Sequence, residues 1–307
     1  MAVLIQLLGL GLLVAGIWFV YQQWIRPHDA TLTAAGRGLL ILIALTLMGG
    51  FIGSPFWWTD QPWSFSWDLP PFAARLLGAA GWAFFAVALL ALRHPTYRRL
   101  RLVLLLLVVY LVPLALAILV FHLDRFDRRA PITYAFFAIV APMAVGATWY
   151  LVRQPLIFVD VHRDTLPSNI VVKTWLPIVA TITALWGIAL LVTDSGPSAE
   201  VWSWPGDLLS SRLIGVMLLT ITFGAFYSFR YAETARLMLV MIEVYSLGVT
   251  VAAFWNAFYG MPIKTLYTAV FSVIFLVTTV LLLNDKPPTH LLAHYRTRHK
   301  PTRVPLV

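Results

Sequence analysis

The sequence predicts an all-α polytopic membrane bundle of about nine transmembrane helices, made of one N-terminal helix and two parallel four-helix repeats. Three observations predict it. The chain is 60% hydrophobic and only 11% charged, with a mean hydropathy of +0.83, where a soluble domain carries roughly a quarter charged residues. Apolar runs of about 20 residues, each long enough to cross roughly 30 Å of hydrocarbon, recur along the whole chain. Finally, a tryptophan, arginine and glycine pattern occurs twice at one fixed offset.

Taking apolar runs bounded by charge, Pro or Gly, helices are predicted at 2–24, 36–54, 72–92, 100–121, 132–152, 173–193, 211–229, 237–258 and 264–284. The first run lacks a basic segment before it and is long for a signal peptide, so it reads as a retained helix. The predicted units are an N-terminal helix (1–30), a first repeat (31–154), an inner linker (155–171), a second repeat (172–284) and a basic cytoplasmic tail (285–307).

With nine crossings the two termini lie on opposite sides. If the N-terminus is outside, the inner segments hold Arg26, Arg37, Arg93, Arg98, Arg99, Arg101, Arg153, Arg163, Lys173, Arg230, Arg236 and the basic tail, or 16 of the 22 Lys and Arg residues. The remaining basic residues are Arg75, Arg125, Arg128, Arg129, Arg212 and Lys264. The positive-inside bias therefore predicts an N-out, C-in protein. This topology also explains the net charge of +9 without nucleic acid. The excess of Arg over Lys points to a bacterial inner membrane. The outer segments hold Phe56, Trp57, Trp58, Trp63, Phe65, Trp67, Trp202 and Trp204, and indoles favour the headgroup zone, so these loops are expected on the outer membrane surface.

The repeat pairs Phe65-Ser66-Trp67 with Trp202-Ser203-Trp204, and Arg75-Leu76-Leu77-Gly78 with Arg212-Leu213-Ile214-Gly215. The same offset pairs Arg93 with Arg230, Arg99 with Arg236 and Phe121 with Phe258, and after a short gap Tyr134 matches Tyr267. An even number of helices per unit makes the repeats parallel, a relation that places a pseudo-twofold axis along the membrane normal. Each repeated Arg is expected in the first turn of its helix, with the glycine on the same face. Trp67, Arg75 and Gly78, with Trp204, Arg212 and Gly215, are thus candidate outer-face contacts for an anion or lipid headgroup, aided by the helix N-terminus. The plainer alternative is that the arginines snorkel, the glycines pack and the tryptophans anchor.

A charge within the hydrocarbon is costly enough to mark a site, and Glu243 is the clear instance. Its counterpart in the first repeat is Leu106, so it breaks the symmetry. Glu243, with Tyr245, Ser246 or Ser228 nearby, can bind a proton or cation; alternatively the acid is paired within the bundle and fixes helix register. Asn256 reads as interfacial. Pro113 and Pro142 can kink their helices but lack counterparts in the second repeat, which gives no support to a symmetric broken-helix site.

No two histidines face each other across the bilayer, so haem is not expected, and the His290/His294 pair lies in the solvated tail. The chain has no cysteine, which excludes disulfides, thiolate metal sites and cysteine nucleophiles. Phosphate-loop, nucleophile-elbow and zincin signatures are missing. Asp124 and Asp127 sit among arginines as a surface charge cluster. No metal, cofactor or enzymatic activity is expected.

Two functions remain in view. The first is a non-enzymatic accessory or scaffold component that packs against lipids and other membrane subunits, with anionic lipid at the basic tail. The second is a transporter or flippase-like protein for a hydrophobic, lipid-like or small ionic substrate, working at the interface between the repeats. A membrane enzyme or redox subunit ranks last.

Overall fold

The computed structural model describes residues 2–65, 67, 69–127, 129–159, 168–194, 202, 206–261 and 265–284. Among them no strand forms and nine helices are long and apolar enough to cross a membrane. They are α1 (Ala2–Val20), α2 (Ala34–Trp58), α3 (Pro71–Arg93), α4 (Tyr97–Ala117), α5 (Pro131–Arg153), α6 (Ile170–Leu191), α7 (Leu208–Ser228), α8 (Ala232–Phe258) and α9 (Thr265–Asn284). A π-helical turn follows α1 (Tyr21–Ile25) and another follows α4 (Ile118–His122). The basic tail, Trp204 and the inner linker from 160 to 167 lie outside the described residues.

Four helices, α2, α4, α6 and α7, begin two or three residues before the apolar run does. The cause is capping: polar side chains satisfy the first free amides, so the helix starts in polar sequence. Thr33 accepts from the Gly36 amide at 3.0 Å, Thr96 from Arg99 at 3.4 Å, Asn169 from Val171 at 3.1 Å and Asp207 from Ser210 at 2.7 Å. Arg75 and Arg212, expected in first turns, are consequently each the fifth residue of their helices.

The tightest helix pairs are α2 with α3 and α6 with α7. Small residues set both contacts, as they do where lipid offers no competing hydrophobic drive. A Cβ added at Gly50 would meet the Gly81 carbonyl oxygen at 2.4 Å, and one added at Gly187 would meet that of Gly215 at 3.0 Å. The halves then cross over: α3 packs on α8, and α7 packs on α4. Glycines again allow the approach, since a Cβ on Gly248 would lie 2.4 Å from Ala79 Cβ, and one on Gly224 would lie 2.6 Å from Leu106 Cδ2.

Helices α3, α4, α7 and α8 therefore form the centre of the bundle, with α2, α5, α6 and α9 outside them. Helix α1 leans chiefly on α2. It exposes Leu8, Leu10, Leu12, Val14, Trp18 and Phe19, the surface expected of a helix whose solvent is lipid. Backbone bonds from Thr33 to Ile157 (3.1 Å) and from Val159 to Thr31 (2.9 Å) tie the segment before α2 to the segment after α5.

Candidate functional site

At one end of the bundle the α3 arginine reaches into the other half of the chain. Arg75 donates to Oδ1 of Asn256 on α8, and its guanidinium carbon lies 5.9 Å from the centre of the Trp255 ring. An aromatic face and a neutral amide meet part of the guanidinium, while its Nε is buried without a hydrogen-bond partner. Trp255 meets Trp58 edge-on at 6.5 Å, and Trp58 lies 5.1 Å from Trp82, so an indole cluster walls this contact.

Asp60, in the turn after α2, is the nearby acid. Burial holds its carboxyl above the ordinary carboxylate range, and the Arg75 charge only partly opposes that. An acid whose folded form resists ionisation contributes most while protonated, and its contribution declines as pH rises through the carboxylate range. Asp60 also has φ of +53°, a left-handed conformation that asparagine tolerates as well. Asp60→Asn is therefore expected to raise the thermal midpoint slightly at neutral pH, with the gain closing in acid; midpoints measured across that range check it.

The second arginine makes the same kind of contact. Arg212 on α7 lies with Nη1 2.8 Å from Nε2 of His122, at the end of the π turn after α4, and its guanidinium sits 4.8 Å from the Phe121 ring. In both contacts an arginine covers an aromatic ring and bonds the polar side chain next to it in sequence: Trp255-Asn256 in one, Phe121-His122 in the other. Each contact joins the two halves of the chain. The sequence marks the arginines, but their partners fall out of register because the α4 side holds three extra residues between its inner arginine, Arg99, and the ring.

The glycines of the motif face elsewhere. A Cβ on Gly78 would lie 3.1 Å from the Ser54 carbonyl oxygen and from the Trp58 amide on α2, and one on Gly215 would lie 2.9 Å from the Gly187 carbonyl oxygen on α6. Arginine and glycine thus serve two different neighbours and do not line one pocket. The loop tryptophans, expected on the membrane surface, also turn inward. Trp202 is only 3% exposed and packs between Phe72 of α3 and Tyr267 of α9, at 5.3 and 5.4 Å. Trp67 packs on Phe126 and Phe136, at 4.8 and 6.0 Å. Aromatic partners from neighbouring segments are within reach of both indoles, and the Trp67 Nε1 is buried without a hydrogen-bond partner.

Glu243 is half-buried on the seam between α8 and α9, where the Thr279 hydroxyl donates to its Oε1 at 3.1 Å. Its carboxylate does not bond the other groups proposed beside it, although the Ser246 hydroxyl lies 3.2 Å from the Glu243 backbone carbonyl. Ser246 turns its hydroxyl back to the Ile242 carbonyl at 2.7 Å, and Tyr245 is buried with its ring 6.1 Å from Phe271. Ser228 is buried at the far end of α7, in the turn toward α8.

A polar contact that the sequence reading overlooked lies at the opposite end of the bundle. Thr96, the N-cap of α4, donates to Oε1 of Glu233 in the first turn of α8, and Arg99 Nε pairs with the same oxygen at 3.0 Å. Glu233 is only 9% exposed. Thr96 and Glu233 are separated by the repeat offset of 137 residues, so matched positions of the two halves touch each other. Beside them Arg98 stacks on Tyr231 at 3.5 Å, and the hydrogen bond and charge it supplies lower the Tyr231 hydroxyl below the usual tyrosine range. Overlooking Glu233 was avoidable, because an acid in a helix's first turn amid arginines is a pairing signal.

Among the described residues no three His, Cys, Asp or Glu side chains gather as a metal site. The chain matches no protein-family model, no curated protein and no solved structure.

Proposed function

We propose that this multi-pass membrane protein is a non-enzymatic accessory or scaffold component of a bacterial inner membrane, oriented N-out and C-in, with two duplicated four-helix units. Its apolar flanks would bind lipids and the helices of partner subunits, and its basic tail anionic lipid. The observation that carries this reading is the filling of the interface between the halves. Leu106, Met238, Ile242 and Ile221 are buried there. A Cβ on Gly224 would lie 2.6 Å from both Leu106 Cδ2 and Met238 Sδ. A permeation path needs polar groups and room, whereas the middle of this seam, between the polar contacts at its two ends, is apolar and close-packed. The matched crossings of α3 on α8 and α7 on α4 support the duplication.

Purification from the native membrane in mild detergent, with mass spectrometry of bound proteins and lipids, is the test. A membrane protein co-isolating in fixed ratio is expected. A chain that runs alone would sink the subunit reading.

Transport has one observation in its favour, the Glu243 carboxylate held by Thr279 within the membrane-spanning part of α8. Glu243→Gln keeps an acceptor for Thr279, so its effect on stability is expected to stay under about 1 kcal/mol. Ion or lipid flux in reconstituted vesicles is expected to be unchanged; a flux that wild type supports and this variant abolishes would favour the transporter.

A further inference from the structure

The two arginine contacts differ in one chemical respect. Arg75 bonds an amide, which does not titrate, and Arg212 bonds an imidazole, which does. Arginine has donors only, so at 2.8 Å from Arg212 Nη1 the His122 Nε2 must offer its lone pair. The ring is therefore neutral, with its proton on Nδ1. A proton added at Nε2 removes the acceptor and sets a cation against a guanidinium, and His122 is only 7% exposed, so water cannot readily fill the gap.

We propose that His122 is an acid-sensitive latch: its protonation releases Arg212 and loosens α4 from α7, while the matching Arg75–Asn256 contact between α3 and α8 stays closed. The inference is independent of the function proposed above. Among the described residues, the charges facing the imidazole are Arg212 on α7, Asp207 at the N-cap of α7, and Asp124 and Arg125 in the turn after the π segment. Asp207 is engaged twice, by Arg125 at 3.1 Å and by the Ser210 amide at 2.7 Å. Both of its oxygens are therefore already engaged, and Asp124 is the other acid that faces the ring. Among the described residues the hydrogen bond of the imidazole is the one to Arg212, and the two acids offset its loss on protonation only in part.

The fold suits local release. The ends of α4 and α7 near His122 share a small apolar cluster with Leu77 of α3, made of Leu77, Leu114, Ile118, Phe126, Leu209 and Leu213 and joined to the main core through the half-buried Leu69, Tyr110 and Val140. An opening there need not disturb the packing around Leu106 and Met238. The π turn carrying His122 adds to this, since its wider hydrogen-bond register is a common accommodation at moving or functional points of helices.

The test compares thermal unfolding of the purified full chain at about pH 8 and about pH 5, on either side of the ordinary imidazole range near ~6.5. Three proteins are compared: wild type, His122→Asn and Asn256→His. The wild-type midpoint is expected to fall on acidification by roughly 3 °C more than that of His122→Asn, which replaces the latch with the amide used in the other half. Asn256→His, with two titrating contacts, is expected to fall by about twice the wild-type increment. If His122→Asn keeps the wild-type pH response, the latch is overturned. Should that variant not fold, Asn256→His decides alone: a response larger than wild type supports the latch and an equal one overturns it.

Discussion

Gly50→Ala is expected to lower the unfolding midpoint of the purified protein sharply, while Gly49→Ala next to it leaves the midpoint unchanged or slightly raised. Both changes improve helix propensity by roughly 1 kcal/mol, so the contrast isolates packing. At Gly49 an added Cβ meets nothing within 4 Å. At Gly50 it would stand 2.4 Å from the Gly81 carbonyl oxygen and 3.2 Å from the Phe85 amide, both backbone atoms of α3. A flexible side chain can swing aside, but a helix backbone must move as a body. The α2–α3 pair would then separate along its length, with a net loss of about 3 kcal/mol. Unfolding in a denaturing detergent gives the measurement, and equal midpoints for the two variants would refute the close approach.

Arg99→Ala is expected to destabilise the protein by about 3 kcal/mol, more than Glu233→Thr, which is expected to cost about 1 kcal/mol. The asymmetry follows from burial. Removing the arginine leaves the Glu233 carboxylate, 9% exposed, with Thr96 as its remaining partner in this contact, and a buried charge stripped of its counterion is among the most costly states a fold can hold. Removing the acid leaves an arginine that is 21% exposed and long enough to reach water. The double substitution is accordingly expected to be more stable than Arg99→Ala alone. A double-mutant cycle on the same unfolding assay supplies the coupling; a double variant less stable than Arg99→Ala would show that the carboxylate needs no partner.

The architecture was largely legible because hydropathy reports the solvent of a helix, and lipid leaves an unmistakable run of Leu, Val, Ala and Phe. The ends were less legible. Polar capping residues such as Thr96 and Asp207 belong to the helix but look like loop, so α4 and α7 begin earlier than their apolar runs. The repeated arginines were found by self-comparison, yet Asn256 and His122 were not, because the inserted residues that make the π turn possible hide their equivalence. Tryptophan composition suggested anchors, and only three-dimensional neighbours such as Phe72 and Tyr267 reveal that Trp202 is enclosed. Glu243 was conspicuous as a lone acid in an apolar run, but linear sequence carries no information about which helix it faces. Its partner, Thr279, is one unremarkable hydroxyl among several on α9.

The contact between Thr96 and Glu233 bears on how such a chain can exist at all. In a symmetric dimer of a single four-helix unit, a position on the twofold axis meets its own copy. Glutamate there would face glutamate, two like charges in a confined space, and threonine would face threonine with no ion for Arg99 to hold. Only two non-identical units can place a hydroxyl on one side and a carboxylate on the other, and joining them in one chain secures that pairing. On the duplication reading, the two halves have diverged at this matched position, so that the hydroxyl of one and the carboxylate of the other complement each other.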